Sequence, residues 1–179
     1  MLKIRDARLS DAREIAAIKV DTWKSSYKGI VPDDYLENLD YASQTQKYTL
    51  MIRKEKDTFV LVAEEDSKVV AFATGGKELT NEYNYSGEIY SIYVRDEFQK
   101  NGIGHQLVSE AAKRLNDMGI SSMLVWALEE SPFKKFYEEM KGKVVERMPF
   151  DLVDSGLNLI GYGWKDIDKS FVFRNFCRG

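Results

Sequence analysis

The clearest chemical signal in the sequence is a glycine-containing turn, Gln99-Lys100-Asn101-Gly102-Ile103-Gly104-His105. It follows a strand-like run that ends at Val94 and opens an amphipathic helical pattern that ends near Gly119. Unsatisfied backbone N–H groups and the helix dipole suit such a turn to a phosphate or pyrophosphate, and glycine lets the anion approach the backbone. The segment predicts an anion site, although on its two glycines alone a tight turn without a ligand is the simpler interpretation.

The turn does not match the two common nucleotide-binding motifs. A P-loop requires Gly-Lys-Ser/Thr at a fixed spacing, which the segment lacks, and residues 105–107 supply no third glycine for the dinucleotide fingerprint. An ATP site would also need metal-ligand features that the sequence does not offer. A nucleotide-binding protein is therefore the weakest of the functional hypotheses.

Metal and thiol chemistry are limited by the residue counts. The chain has one histidine, His105, and one cysteine, Cys177, which excludes a disulfide framework and a Cys/His zinc site. Cys177 lies in the terminal tail with no histidine nearby, so we do not expect a catalytic thiol. His105 falls in the first turn of the predicted helix, which favours a neighbour of the bound phosphates over a general base. We predict no metal site.

Composition narrows the class of protein further. The 179 residues are enough for one domain, and 44% hydrophobic with 31% charged residues indicates a globular chain with a real core. The net charge of -3 lacks the basic excess typical of nucleic-acid binding. The N-terminus lacks a signal-peptide pattern, and no stretch approaches the roughly 20 apolar residues of a membrane span. We expect a cytoplasmic protein without nucleic-acid or membrane partners.

The elements that must position the turn can be predicted from hydrophobic periodicity. Two continuous apolar runs separated by a polar stretch, at 59–63 and 69–73, predict a hairpin buried on both faces. The pattern as a whole predicts a mixed α/β chain around one central sheet. Strands are predicted over 2–6, 59–63, 69–73, 88–94, 123–128, 143–148 and 157–163, and helices over 11–27, 33–39, 41–54, 103–119 and 132–139.

Several segments resemble one known family. Residues 88–104, Glu-Ile-Tyr-Ser-Ile-Tyr-Val-Arg-Asp-Glu-Phe-Gln-Lys-Asn-Gly-Ile-Gly, are similar to the acyl-CoA-binding motif of the GNAT superfamily of N-acetyltransferases. Residues 132–140, with a Phe-Tyr-Glu core, resemble a helix of that family, and 23–32 and 161–164 resemble one of its subgroups. The resemblance implies a single-domain α/β fold over 1–165, with a mixed, mostly antiparallel central sheet flanked by helices, and leaves 166–179 as a C-terminal extension of unknown role.

The resemblance implies that acetyl-CoA is the cofactor and CoA a product. Backbone N–H groups of 100–105 would bind the pyrophosphate, and the exposed backbone of 92–94 would align the pantetheine arm as an added strand would. Ser131 stands where many members have an asparagine that helps to hold this arm, and Lys141 stands where the subgroup often has glycine. The implied cofactor-binding residues are Ile92, Tyr93, Val94, Gln99, Lys100, Asn101, Gly102, Ile103, Gly104, His105, Ser131 and Lys134.

Two residues are implied as catalytic groups for direct acetyl transfer to an amine. Tyr137 matches the usual general acid of the family, and a phenol with a pKa near 10 can protonate a departing thiolate while staying protonated at neutral pH. Glu88 stands where many relatives have a carboxylate that takes a proton from the amine. The alternatives are a buried core aromatic for Tyr137 and a solvated residue after Gly87 for Glu88.

The expected acceptor is a primary amine of a small molecule or a peptide. In this superfamily the early helices cover the acceptor site, which implies that Trp23 and Tyr27 bind the substrate. These helices are also rich in carboxylates, so a polyamine is one hypothesis. Ordinary helix packing with a solvated acidic face is an equally good interpretation.

Two alternatives at the level of the whole protein stay open. The chain could be a non-catalytic sensor or regulatory module that binds acyl-CoA, although a pure binder would need neither Tyr137 nor Glu88. The apolar run 171–173 suggests a possible homodimer.

Overall fold

The computed structural model describes residues 1–53, 56–151 and 155–171. It contains one sheet with helices on both faces. The strands are β1 (Lys3–Asp6), β2 (Thr58–Glu65), β3 (Lys68–Lys77), β4 (Gly87–Val94), β5 (Met123–Leu128), β6 (Lys143–Pro149) and β7 (Asn158–Trp164). The helices are α1 (Ala12–Ser26), α2 (Asp33–Glu37), α3 (Tyr41–Arg53), α4 (Ile103–Asp117), α5 (Lys134–Glu139) and α6 (Ile167–Ser170).

The seven strands form a single mixed sheet in the order β1-β2-β3-β4-β5-β7-β6. Neighbouring strands are antiparallel except for β4 and β5, which are parallel and are connected through α4. A parallel pair needs such a crossover, because a short turn can join only antiparallel strands. The predicted fold class, a mostly antiparallel sheet flanked by helices, is confirmed.

The central strands are buried on both faces because helices cover each side. Helix α4 packs on one face through apolar residues such as Leu107, Ala111 and Leu115, all of which are fully buried. Helices α1 and α3 cover the other face, where Ile15 and Tyr48 contact β2 and β3. The continuous apolar runs at 59–63 and 69–73 follow from this two-sided burial.

Helix α1 is attached to the C-terminal end of β4 by polar contacts as well as by packing. Arg95, directly after β4, donates a 2.7 Å hydrogen bond to the Glu14 carboxylate. The Trp23 indole N–H and the Lys19 ammonium group donate to the Tyr93 hydroxyl at 2.9 and 2.8 Å. The end of β4 and the helix above it therefore form one unit.

The segment after residue 165 continues into the core. The Asp166 carboxylate accepts the Lys169 N–H and caps the short α6. Ile167 is fully buried, and Phe171 is 6% exposed and packs against Trp164 at a ring distance of 6.0 Å. Two such side chains contribute about 1.5–3 kcal/mol each by burial. Phe171, from the run that suggested a dimer, thus lies inside the protein.

The observed bounds differ from the predicted ones by a few residues at most. Helix α5 begins at Lys134 instead of Pro132. Helix α6 and the 3₁₀ turns Leu9–Asp11 and Asp96–Phe98 were not predicted, because such short elements carry no periodic pattern. The predicted end of the third helix at residue 54, the rest of the apolar run after Phe171, and Cys177 lie outside the described residues. Of the helices in the described ranges, none has the length and apolar character needed to cross a bilayer.

Candidate active site

Strands β4 and β5 diverge near the middle of the sheet. Their parallel ladder begins at Gly87 and ends at Ile89, which pairs with Val125. Beyond Ile89, β4 continues alongside β3 while β5 continues alongside β7. A cleft of about 930 Å³ opens between the two strands. The β5-facing backbone at the end of β4 is therefore accessible to an extended molecule, which can hydrogen bond to it as a further strand would.

A β-bulge lies where the two strands part. The register of β4 against β3 shifts between Thr74 and Gly75, which leaves Tyr90 as the extra residue. The Tyr90 ring lines the cleft, and its hydroxyl donates a 2.6 Å hydrogen bond to the Lys77 carbonyl. The bulge changes the direction in which β4 presents its side chains to the cleft.

The glycine turn forms one end of the cleft. Gly102 is the N-cap of α4 with φ +78°, a left-handed conformation that favours glycine, and open space surrounds the position that a Cβ would occupy. Lys100 also has a positive φ of 62°. Gln99 donates hydrogen bonds to the Val94 carbonyl and to Asp96, which attaches the turn to the end of β4. The first backbone amides of α4 are thus presented at an open, cation-flanked turn.

Most of the predicted cofactor-binding residues come together on the cleft wall. Asn101 and Ile103 are not among its lining residues: Asn101 is exposed, and Ile103 is 4% exposed and belongs to the core under α4. Lys134 is also outside the lining, and the next residue, Lys135, takes that position. The predicted residues that line the cleft are Ile92, Tyr93, Val94, Gln99, Lys100, Gly102, Gly104, His105 and Ser131.

Tyr137 supplies a phenol to the cleft wall from α5. The residue is 7% exposed, and its ring stacks on Tyr162 at 5.6 Å and meets Phe136 edge-on at 5.1 Å. Burial raises the pKa of the Tyr137 hydroxyl, so the group keeps its proton at neutral pH. The Tyr137 ring is part of the core, and the residue also lines the cleft.

Glu88 is half-buried at the start of β4 and is not one of the residues that line the cleft. Burial, helped by the neighbouring Glu78 carboxylate, raises the pKa of its carboxyl group to about 7. The Leu79 N–H donates to Glu88 and partly opposes this effect. Glu88 also raises the pKa of the cleft residue Tyr90, so its charge acts at the cleft. A carboxylate that titrates near neutrality is suited to proton transfer.

The two predicted substrate-binding residues have different positions. Tyr27 lines the cleft, whereas Trp23 is 8% exposed and lies outside the lining, packed on Tyr27 at 4.9 Å and on Phe150 at 6.5 Å. The Lys19 amine lies 3.6 Å from the Trp23 ring centre. The Trp23 face that a cationic acceptor would use is therefore already occupied.

Lys19 is a buried lysine that sequence reasoning did not single out. Its Nζ contacts the rings of Trp23 and Tyr93 at 3.6 and 4.4 Å. Burial lowers the pKa of this amine well below its usual value, and the nearby Lys47 charge adds to the effect. Lys19 lies one turn after Ile15 and one turn before Trp23, so the helical spacing already places it on the apolar face of α1.

An acidic and aromatic wall, which sequence reasoning also missed, adjoins the cleft at Tyr90 and Trp126. It consists of Glu78, Tyr83, Glu88, Tyr90 and Trp126. The rings of Tyr83 and Trp126 are 5.1 Å apart, and Trp126 and Tyr90 line the cleft. Burial is the main cause of the raised pKa values of both tyrosines, and Glu78 contributes to both.

Glycines of β7 make room for the wall. Gly161 is directly opposite Trp126 in the β5–β7 ladder, and a Cβ there would lie 2.9 Å from the Trp126 ring. The loop after β3 is held in place by Glu78, whose carboxylate accepts hydrogen bonds from Thr80 and Asn81.

Across the described ranges, no group of three or more acidic, histidine or cysteine side chains is arranged to hold a metal ion.

The site therefore has the parts that amide formation from a thioester requires. An accessible strand edge and an amide-rich turn can hold an extended molecule that ends in phosphates. A protonated phenol and a carboxylate that titrates near neutrality can move the two protons of the reaction. These groups come from β4, from the turn after it and from α5.

Comparison with known proteins also indicates an acetyltransferase. The model of the acetyltransferase (GNAT) family matches residues 20–142. An uncharacterized N-acetyltransferase of Bacillus subtilis, YuaI, is 35% identical over 167 residues, which cover 93% of this chain and 95% of the relative. The spermidine N(1)-acetyltransferase of Thermoplasma acidophilum is 25% identical over 123 residues, 66% of this chain and 73% of that protein.

Solved structures share the fold. The PaiA N-acetyltransferase of Thermoplasma acidophilum, crystallised with coenzyme A, superposes with a TM-score of 0.75 at 21% identity, covering 92% of this chain and 99% of that one. YncA of Salmonella typhimurium, solved with acetyl-CoA, gives a TM-score of 0.70 at 21% identity, covering 94% and 95% of the two chains. At this identity the likeness concerns the fold.

Proposed function

This chain belongs to the GNAT family of acetyltransferases and is an N-acetyltransferase that uses acetyl-CoA, and we propose that it transfers the acetyl group directly to a primary amine of a small cationic molecule such as a polyamine. The observation that carries the direct transfer is the joint presence of a protonated Tyr137 in the cleft wall and, beside the cleft residue Tyr90, a Glu88 with a pKa of about 7. A protein that only sensed acyl-CoA would need neither group.

The residues that would hold acetyl-CoA are those of the open cleft. Backbone amides of the turn at Gly102, with Lys100 and Lys135 beside them, would hold the phosphates. The edge of β4 at 92–94 would hold the extended arm. When bound, acetyl-CoA supplies an acetyl group activated as a thioester.

In the reaction, the amine nitrogen forms a bond to the acetyl carbon and the carbon–sulfur bond breaks. Glu88 accepts a proton from the amine, directly or through water, because an alkylamine with a pKa near 10.4 is mostly protonated and must lose a proton to react. Tyr137 donates its proton to the departing sulfur, and the second proton, which the nitrogen loses as it becomes an amide, returns to the Tyr137 oxygen. A backbone N–H of β4 would stabilise the negative charge on the carbonyl oxygen.

The acidic and aromatic wall supports a cationic acceptor. Within the described ranges, no lysine or arginine forms an ion pair with Glu78 or Glu88, so their negative charge is not neutralised locally. Trp126 and Tyr90 add aromatic faces on the cleft, which favour cations. A second line of support is the similarity to a protein described as a spermidine N(1)-acetyltransferase.

The test is the release of free CoA thiol from acetyl-CoA with polyamines, aminoglycosides, amino acids and peptides as acceptors, for the wild type and Tyr137→Phe. We expect release that depends on a polycationic amine and is slowed in the variant. Equal turnover of cationic and neutral amines would contradict the acceptor proposal. Acetyl-CoA binding without release for any amine would instead favour a sensor.

A further inference from the structure

Helix α5, which carries Tyr137, ends in a closed hydrogen-bonded cap. The Gly142 N–H donates to the Tyr137 carbonyl at 2.9 Å. The Lys141 N–H donates to the Glu138 carbonyl at 3.0 Å, which completes the Schellman arrangement of a helix C-terminus. Lys141 adopts the left-handed conformation that such a cap requires, with a positive φ of 66°. The cap therefore holds the backbone of Tyr137 itself.

A side chain from β7 supports this cap. The indole N–H of Trp164 donates a 2.8 Å hydrogen bond to the carbonyl of Met140, the residue directly after α5. Gly142 lies so close to the Trp164 ring that a Cβ at this position would come within 2.8 Å of it. Trp164 thus contacts both the carbonyl that ends the helix and the chain that follows.

Trp164 is fixed independently of α5. It is 3% exposed and lies at the end of β7, where it pairs with Met123 of β5. Phe171 packs on the Trp164 ring at 6.0 Å, and the Ile167 N–H donates to the Ser121 carbonyl at 2.9 Å. The segment after residue 165 therefore packs on the side chain that holds the end of α5.

The two ends of α5 are held by different elements. At the start, the Ser131 Oγ accepts the Phe133 N–H at 3.1 Å. The helix has only 6 residues, so it has little intrinsic stability and its position depends on such contacts. Lys135 is near the start, whereas Tyr137 shares a hydrogen bond with the cap at the other end. A change at the cap should therefore move Tyr137 more than Lys135.

We propose that Trp164 is a positioning residue for the general acid: its contacts with Met140 and Gly142 fix the end of α5 and so set where the Tyr137 hydroxyl stands in the cleft. The inference rests on the proposed role of Tyr137 as the proton donor. A misplacement of about 1 Å at a reacting group can slow a reaction by up to about 100-fold. The segment after residue 165 gains a role as well, because Phe171 supports Trp164.

The first part of the test measures steady-state release of CoA thiol by Trp164→Phe, with the panel amine that the wild type turns over fastest. Phenylalanine keeps an aromatic ring but lacks the N–H, so we expect kcat to fall about tenfold while the KM for acetyl-CoA changes less than about threefold. Lys165→Met is the matched control, because Lys165 also donates to a backbone carbonyl, that of Asn84 at 2.7 Å, in the loop after β3. Its kcat should stay unchanged. Wild-type kcat in Trp164→Phe would overturn the inference.

The second part combines Trp164→Phe with Tyr137→Phe. Because Trp164 acts through Tyr137, its loss should lower kcat no further once the phenol is gone. Additive losses would show that Trp164 acts by another route and would overturn the inference. Full turnover in Tyr137→Phe alone would instead overturn the proposed general acid, so the two failures are distinguishable.

The third part restores the cap without the tryptophan. Glycine favours the left-handed conformation at position 141, so adding Lys141→Gly to Trp164→Phe should raise kcat at least about threefold. Ser67→Gly is the matched control, because Ser67 has the same φ of 66° in the turn between β2 and β3. Both glycines relieve the same backbone strain and should change thermal unfolding alike. Equal recovery of kcat from both would show that Trp164 supports only stability, and would overturn the inference.

Discussion

The two ends of the cleft are built in different ways. At the cofactor end, the strand edge at 92–94 and the turn at Gly102 offer backbone groups from one continuous stretch of sequence. At the proposed acceptor end, the wall assembles side chains of Glu78, Glu88 and Trp126 from three separate segments. Backbone recognition constrains the sequence to glycines and a fixed spacing, whereas a wall of side chains leaves no local pattern.

The largest expected effect tests whether Tyr137 takes part in the reaction as the general acid. Tyr137→Phe should lower kcat by about 1,000-fold, because the departing thiolate loses its proton donor. The KM for acetyl-CoA should stay within about twofold. Single-turnover measurements of CoA release would check this, and Tyr162→Phe, which keeps the stacked ring, is the control. A loss below threefold would remove Tyr137 from the chemistry.

Glu88 gives the next largest effect and a signature in pH. The group must be ionised to accept a proton, so kcat/KM should fall as the pH drops below about 7, the raised pKa of Glu88. Glu88→Gln should lower kcat/KM about 100-fold at pH 8 and abolish the inflection near 7. A pH profile of both proteins with one amine is the measurement. An inflection that survives in the variant would assign it to another group.

A pair of glycines tests the cofactor end alone. Gly102 and Gly119 stand at opposite ends of α4, both have φ +78°, and open space surrounds both Cβ positions. Alanine at either position should cost about 1–2 kcal/mol of stability because of the left-handed backbone. Only Gly102→Ala should raise the KM for acetyl-CoA, by about fivefold. Equal KM values in the two variants would show that the turn does not bind the cofactor.

The smallest expected effect concerns the acceptor end. Glu146 on β6 raises the pKa of Tyr83, so its charge acts on the wall. Glu146→Gln should raise the KM of a polycationic acceptor about twofold at low salt and leave a neutral amine unchanged. Glu110→Gln on α4 is the matched loss of charge. The same change for both amines would contradict cation recognition by the wall.

The fold was largely predictable because its signals are local. The runs at 59–63 and 69–73 and the amphipathic pattern of α4 each identify an element without knowledge of the rest of the chain. Helix α6 was not predicted, although Ile167 within it is fully buried. Four residues carry too little periodicity to indicate a helix.

The candidate site was predictable only in part, for reasons of geometry. Lys134 was predicted from the sequence to bind the cofactor, whereas Lys135 lines the cleft, because one step along a helix turns a side chain by about 100°. Trp23 was expected at the acceptor, but its ring is used for packing and contacts Lys19. The contact of Trp126 with Tyr83 depends on tertiary packing that no spacing rule encodes.

If the wall binds the acceptor as proposed, Gly161 offers a way to change the acceptor from a position outside the cleft lining. Because Gly161 lies under the Trp126 ring and a Cβ would come within 2.9 Å of it, any larger residue must displace the indole. Gly161 belongs to β7 and is not one of the residues that line the cleft. On that proposal, amine selectivity can change during evolution through β7, a strand that contributes no residue to the cleft lining. For protein engineering, Gly161 is therefore the first position at which to change the selectivity for the amine.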